Sequence, residues 1–302
     1  DLPLNISRET IQNSPIIQKI RQILTTKILN HLEDLSFNEK EKYSKFIQNF
    51  GQILKGGITI DYGNRDKIIN LLRFQSTLLD ENDMTSFKDY VSRMKEDQKV
   101  IYYVLADSRD SLIRNPNLEY FLKNNYEVLI MTDPIDALIV PLIGEFDGKP
   151  LKSIDIVDVD IKKDTEDTNK LEPETANLLL ERFTKVLGER VLNVQESKRL
   201  VESPVTLVAP YFGQDPQSEK IFKIIDKNYQ KSKKILEVNT SHPIIKNIAT
   251  LLKKDETSQT IDKIIVQLYF QTLVLEGEID NPTEYVKNMN DLLKEITEVI
   301  IK

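Results

Sequence analysis

Val100–Met131 reads VIYYVLADSRDSLIRNPNLEYFLKNNYEVLIM, and its pattern decides the fold class. Val100 to Leu105 is an unbroken apolar run rich in β-branched and aromatic residues, too short for a helix core and right for a buried strand. Val128 to Met131, after the polar pair Asn124 and Asn125, is a second such run, and Pro116 to Asn124 reads as a helix between them. A strand, a helix and a strand in succession make the strands parallel through a right-handed crossover, with helices covering the sheet. The first part of the chain is therefore expected to be α/β, and the whole α+β.

Upstream, helices dominate. Ser14 followed by Pro15 is a helix start, and Ile16, Ile17, Ile20, Ile23, Leu24, Ile28 and Leu32 recur at helical spacing. Tyr43, Phe46, Ile47, Phe50 and Leu54 mark a second helix, expected to end at Gly56 and Gly57. Shorter helices are predicted around 66–74 and 86–96, the latter with a Ser86-x-x-Asp89 capping signal.

Downstream, Asp155 to Glu174 carries eight acidic residues, three lysines and a proline, the composition of a solvated boundary. The predicted organisation is 1–154 as an α/β domain, 155–174 as an acidic linker and 175–302 as a mixed second domain. The latter has a helix over Leu178–Leu187 closed by Gly188, strand-like runs at Val191–Val194, Val205–Ala209 and Ile235–Val238, and two long helical patterns at the end. One pattern holds Ile261, Ile264, Ile265, Leu268 and Leu273; the other holds Tyr285, Val286, Met289, Leu292, Leu293, Ile296 and Ile300. Gly277, Asn281 and Pro282 separate them, so they form a helical hairpin. Pairing with a symmetry mate would make a four-helix bundle with Ile261, Ile265, Leu268, Met289, Leu293 and Ile296 at its seam. Burial against its own domain is the alternative.

Composition excludes several functions. Lys and Arg number 41 against 48 Asp and Glu, a net charge of −7, which argues against a nucleic-acid partner. With no cysteine there are no thiolate sites, and His31 and His242 stand too far apart in sequence to suggest a metal site. There are 9 glycines and neither glycine-rich phosphate motif, so no nucleotide cradle is expected. The apolar run Ala137–Gly144 falls well short of the ~20 residues that span a bilayer. The opening at Asp1 suggests a piece of a longer protein.

Seven strings together carry a family resemblance: DLPLNISRETIQ (1–12), LLRFQST (71–77), DYVSRMKEDQKVIYYV (89–104), EVLIMTDPID (127–136), EFDGKPL (145–151), LGERVLNVQESKRLVESPV (187–205) and LEVNTSHPIIKNI (236–248). The first five resemble the middle domain of the ninety-kilodalton heat-shock chaperones in their bacterial form, and the last two their C-terminal dimerisation domain. The resemblance implies a homodimeric, ATP-dependent chaperone of the bacterial cytoplasm, with unfolded or partly folded client proteins as partners. It also implies that the ATP- and magnesium-binding domain is missing, leaving no cofactor in these residues. Arg8 would then lie on the catalytic loop and reach the γ-phosphate, assisted by Gln12, as an arginine finger does.

For client contact, the resemblance points to Leu138, Ile139, Val140 and Pro141, and to a stretch from Tyr211 to Ile225 with Tyr211, Phe212, Ile221, Phe222 and Ile225. This chain has Leu138 where bacterial relatives carry tryptophan, and Gln214 and Ser218 where relatives carry methionine. Each stretch is equally readable as ordinary core. Asp133 before Pro134 reads as a helix cap rather than as half of a catalytic pair with Asp136, and Lys231, Lys233 and Lys234 as a solvated loop. The competing functional class is a self-sufficient enzyme or ligand-binding protein, with a site beyond the strand ends at Leu105–Ser108 and Met131–Asp133. A third reading is a pure dimerisation scaffold.

Overall fold

The computed structural model describes residues 15–112, 115–157, 170–211, 213, 216–226 and 229–301. Helices α1 (Pro15–Asn38), α2 (Lys40–Ile60), α3 (Arg65–Leu71) and α4 (Phe87–Arg93) precede the central strands. Two glycines fail to stop α2, which runs on to Ile60. A side chain at Gly57 would put its Cβ 2.9 Å from Ile68 Cδ1, so this glycine lets α2 and α3 approach rather than turning the chain. The Ser86 cap forms as expected, its Oγ accepting from the Asp89 N–H at 3.0 Å.

The central sheet has the order β1-β3-β2-β5-β4, from strands β1 (Gln75–Ser76), β2 (Ile101–Leu105), β3 (Leu129–Met131), β4 (Glu145–Phe146) and β5 (Lys149–Ser153). Strand β2 is parallel to β3, with Tyr103 opposite Leu129, and to β5, with Ile101 opposite Leu151. The short outer strands β1 and β4 are antiparallel. Alternation along β2 explains its unbroken apolarity. Ile101, Tyr103 and Leu105 face a core shared with α1–α4, and Tyr102 and Val104 face a second core with Leu118, Phe121 and Val128. Between β2 and β3 run the short helices α5 (Arg109–Leu112) and α6 (Glu119–Lys123), and α7 (Asp136–Ile143) follows β3.

The second lobe contains α8 (Pro173–Leu187), β6 (Asn193–Glu196), β7 (Val205–Val208), α9 (Pro216–Ile225), β8 (Ile235–Val238), α10 (Pro243–Lys254), α11 (Gln259–Glu276) and α12 (Pro282–Ile301). Its sheet has the order β6-β8-β7, parallel on one side and antiparallel on the other. One core joins this sheet to α8, α10 and α11. His242 caps α10, its Nδ1 accepting from the Ile244 N–H at 3.1 Å, and His31 is exposed on α1.

The lobes meet through polar groups. Arg199, 1% exposed, donates to the carbonyls of Ile154, Ile156 and Val157, and its Nε lies 3.1 Å from Glu237 Oε2. In return, the Glu119 carboxylate on α6 accepts from the backbone N–H groups of Val201, Glu202 and Ser203. Each lobe thus satisfies orphan backbone groups of the other. No described helix is long and apolar enough to cross a membrane.

Candidate functional site

The sequence of α7, DALIVPLI, is apolar on almost every side, so the neighbouring elements decide which residues are covered. Ala137, Ile139, Val140 and Ile143 enter the core; Leu138, Pro141 and Leu142 face outward, three and four residues apart as one helical face requires. Ile139, expected as a client contact, is fully buried and cannot be reached while this fold holds.

The start of α7 is fixed by charge. Lys55 on α2 places its Nζ 2.7 Å from Asp133 and 2.7 Å from Asp136, and the Gln52 amide donates to Asp133 at 2.8 Å. Burial pushes the Asp136 carboxyl above its usual range. Burial acts the same way on Asp133, but Lys55 and Gln52 outweigh it and hold that carboxyl below. Asp133 is therefore not the helix cap expected from Asp-Pro. The helix begins three residues later, and both carboxylates are structural partners of a buried lysine.

Helix α9 lies against α7 and the end of β2, bringing the two client stretches together across some eighty positions of sequence. Ile221 is half-buried against the α/β core, Phe222 is half-buried and stacks on Tyr229, and Ile224 and Ile225 are 80% and 65% exposed. The outward apolar positions are thus Leu138, Leu142, Ile224 and Ile225, with Tyr211 also exposed. Ile221 and Phe222 were the expected pair. The stretch KIFKII is apolar over more than half a turn, so sequence alone leaves open which side the α/β unit covers. Phe212 and Gln214 lie outside the described residues, as do Arg8 and Gln12.

The crevice at the strand ends, where the competing enzyme reading places its site, is roofed by α9. A cavity of about 110 Å³ remains, and its polar groups are already paired. Lys220 lies 3.3 Å from Asp107, and Asn117 binds Asp155 and Thr206. Glu276 lies 2.9 Å from Lys234. Lys234 is no solvated loop residue; it is buried among Glu276, Glu278 and Glu219. Burial pushes the Glu276 carboxyl up to about 7, against the opposing pull of Lys234. Burial would lower Lys234, but the surrounding carboxylates raise it instead.

The hairpin divides the expected dimer seam in two. Ile261, Ile265 and Leu268 belong to the core of their own lobe, while Val274 and Leu275 at the end of α11 stand exposed. Helix α12 buries Leu292 and half-buries Met289 while Val286, Leu293, Ile296 and Ile300 stand at least half exposed. Their spacing makes one continuous apolar stripe along the helix.

The sequence model of the family described as "Hsp90 protein" matches residues 1–301. The chain is 45% identical over 300 residues to a protein named "Chaperone protein HtpG" from Chlorobium phaeovibrioides, covering 98% of this chain and 48% of that one. It is 46% identical to the protein of that name from Chlorobium luteolum, with the same coverage. With the protein of that name from Geobacter sulfurreducens it shares 38% over 299 residues, 97% of this chain and 46% of the relative. The chain spans about half the length of the curated relatives it matches. A family match across nearly the whole chain, together with this order of α/β unit, mixed lobe and helical hairpin, means that the chain belongs to the Hsp90 family.

Proposed function

We propose that the chain is the middle and C-terminal portion of a homodimeric, ATP-dependent chaperone of the bacterial cytoplasm, and that it holds unfolded or partly folded proteins on the apolar face shared by α7 and α9. The observation that carries this is the meeting of those two helices. Leu138 and Leu142 from one lobe and Ile224 and Ile225 from the other stand exposed on helices that touch, where ordinary surfaces carry charge. The stripe on α12 supports pairing with a second copy, because an apolar helical face at the end of a hairpin is the half-interface of a bundle.

The work assigned to these residues is conformational. In this proposal ATP and its magnesium bind a further domain, and Arg8 and Gln12 act on that nucleotide from this chain, a reading that the family resemblance supports. The test is suppression of client aggregation by the purified chain without nucleotide. Light scattering from a heat-denatured enzyme should fall in proportion to added chain up to near-stoichiometric amounts. Unchanged scattering at that ratio would count against a client surface here.

A further inference from the structure

Lys40 at the start of α2, Lys67 on α3 and Lys88 on α4 line one groove of about 360 Å³, together with residues of α1. All three lysines stand exposed, and among the described residues none of them makes an ion pair. Lys67 donates only to the Asn30 amide oxygen, at 3.4 Å. Arg73 adds a fourth cation, held by the carbonyls of Asn70 and Leu72 at 3.1 and 2.8 Å and lying 4.9 Å from the centre of the Tyr43 ring. Carbonyls and a ring orient a guanidinium without cancelling its charge. The two carboxylates in the lining are Glu33 and Asp89, and the Ser86 hydroxyl already donates to Asp89 at 2.7 Å. Positive charge is therefore in excess here, within a chain whose net charge is −7. The rest of the lining includes Leu29 and Leu71, both buried, and Phe37, which is 62% exposed. A cleft lined by one sign of charge concentrates ligands of the other.

We propose that this groove binds a short acidic segment of a partner protein, its carboxylates meeting Lys40, Lys67 and Lys88 and an apolar side chain between them packing on Leu29, Leu71 and Phe37. Its volume lies at the lower end of the range for binding clefts, about 300–1,000 Å³, which suits a few residues rather than a folded domain. Clusters of cations read acidic motifs in this way, and the apolar lining supplies what charge alone lacks. A nucleic acid fits less well. Glu33 stands among the cations, and beyond the groove an acidic chain repels a long polyanion. No residue of α7 or α9 lines the groove, so the inference goes beyond the client face and does not depend on it.

The test is fluorescence anisotropy on the full 302-residue chain, with a labelled peptide that carries a central phenylalanine flanked by glutamates. Wild type should bind it at least about tenfold more tightly than the same peptide with lysine for glutamate, or with serine for phenylalanine. Its binding should weaken several-fold as salt rises from about 0.05 to about 0.5 M. In Lys40→Glu/Lys67→Glu/Lys88→Glu the charge preference should invert, with the lysine peptide bound at least about tenfold more tightly than the glutamate peptide, a gain that an unfolded variant could not show. Equal binding of those two peptides to wild type overturns the proposal, as does an unaltered preference in the triple variant. Phe37→Ser gives an independent readout at an exposed site. It should weaken binding of the phenylalanine peptide several-fold and leave that of the serine peptide unchanged, and equal affinity before and after the change contradicts the apolar contact. An oligonucleotide of the same charge that binds wild type more tightly than the peptide would make the groove a phosphate site and sink a protein segment as its occupant.

Discussion

At the scale of single residues, Ile265 and Leu293 look alike in sequence, both apolar and both on the terminal hairpin, yet they do opposite things. Ile265 is fully buried in its own lobe and Leu293 is 50% exposed. Ile265→Ala should therefore cost about 2–5 kcal/mol of unfolding free energy, as deletions in packed cores do, measured by denaturant titration. Leu293→Asp should leave the fold intact and lower the mass found by light scattering from twice 35.0 kDa to 35.0 kDa, since it puts a charge on the stripe expected to be buried between copies. Glu276 adds a pH dependence. Its folded-state value of about 7 lies above its ordinary value of 4.5, so the folded chain holds this proton more tightly. The contribution is complete below about pH 4.5 and fades as pH rises through 7, amounting to at most about 3 kcal/mol. Asp136, also pushed up by burial, acts in the same direction. Denaturation midpoints should therefore fall between pH 5 and pH 7.5, and Glu276→Gln should flatten that slope.

At the scale of elements, the α/β unit was legible because its strands are buried on both faces and so announce themselves as unbroken apolar runs. The second-lobe strands were nearly as plain, and β8 occupies the predicted residues 235–238. Where local pattern misled, tertiary contact was the reason. Gly56 and Gly57 read as a helix end, yet α2 runs through both, and Gly57 admits Ile68 against it. Asp133 reads as a cap and pairs with a lysine 78 positions away. The two stretches expected to contact clients lie on α7 and α9. Which face of each stands outward depends on α9 lying across α7, a juxtaposition with no local signature. Arg199 was missed for the same reason: nothing near it in sequence distinguishes it from a surface arginine, and its partners lie some forty positions off.

At the scale of the whole molecule, the two lobes share a polar joint, and each carries exposed apolar residues on one of two helices that touch. Arg199 and Glu119 satisfy backbone groups across the joint, so α7 and α9 are presented side by side rather than on separately wandering domains. In the proposed dimer the stripe on α12 meets a second copy, which would place two such pairs of helices on opposite arms. The central claim is that the exposed face of α7 and α9 is where clients are held. Its most direct test is the affinity of the 302-residue chain for a fluorescently labelled, permanently unfolded protein, before and after Ile224→Ser/Ile225→Ser. These residues are 80% and 65% exposed, so the pair of changes should leave the thermal midpoint and the mass unaltered. The account predicts at least about a tenfold loss of affinity, a little over 1 kcal/mol. Unchanged affinity in a folded, unaltered oligomer would contradict it.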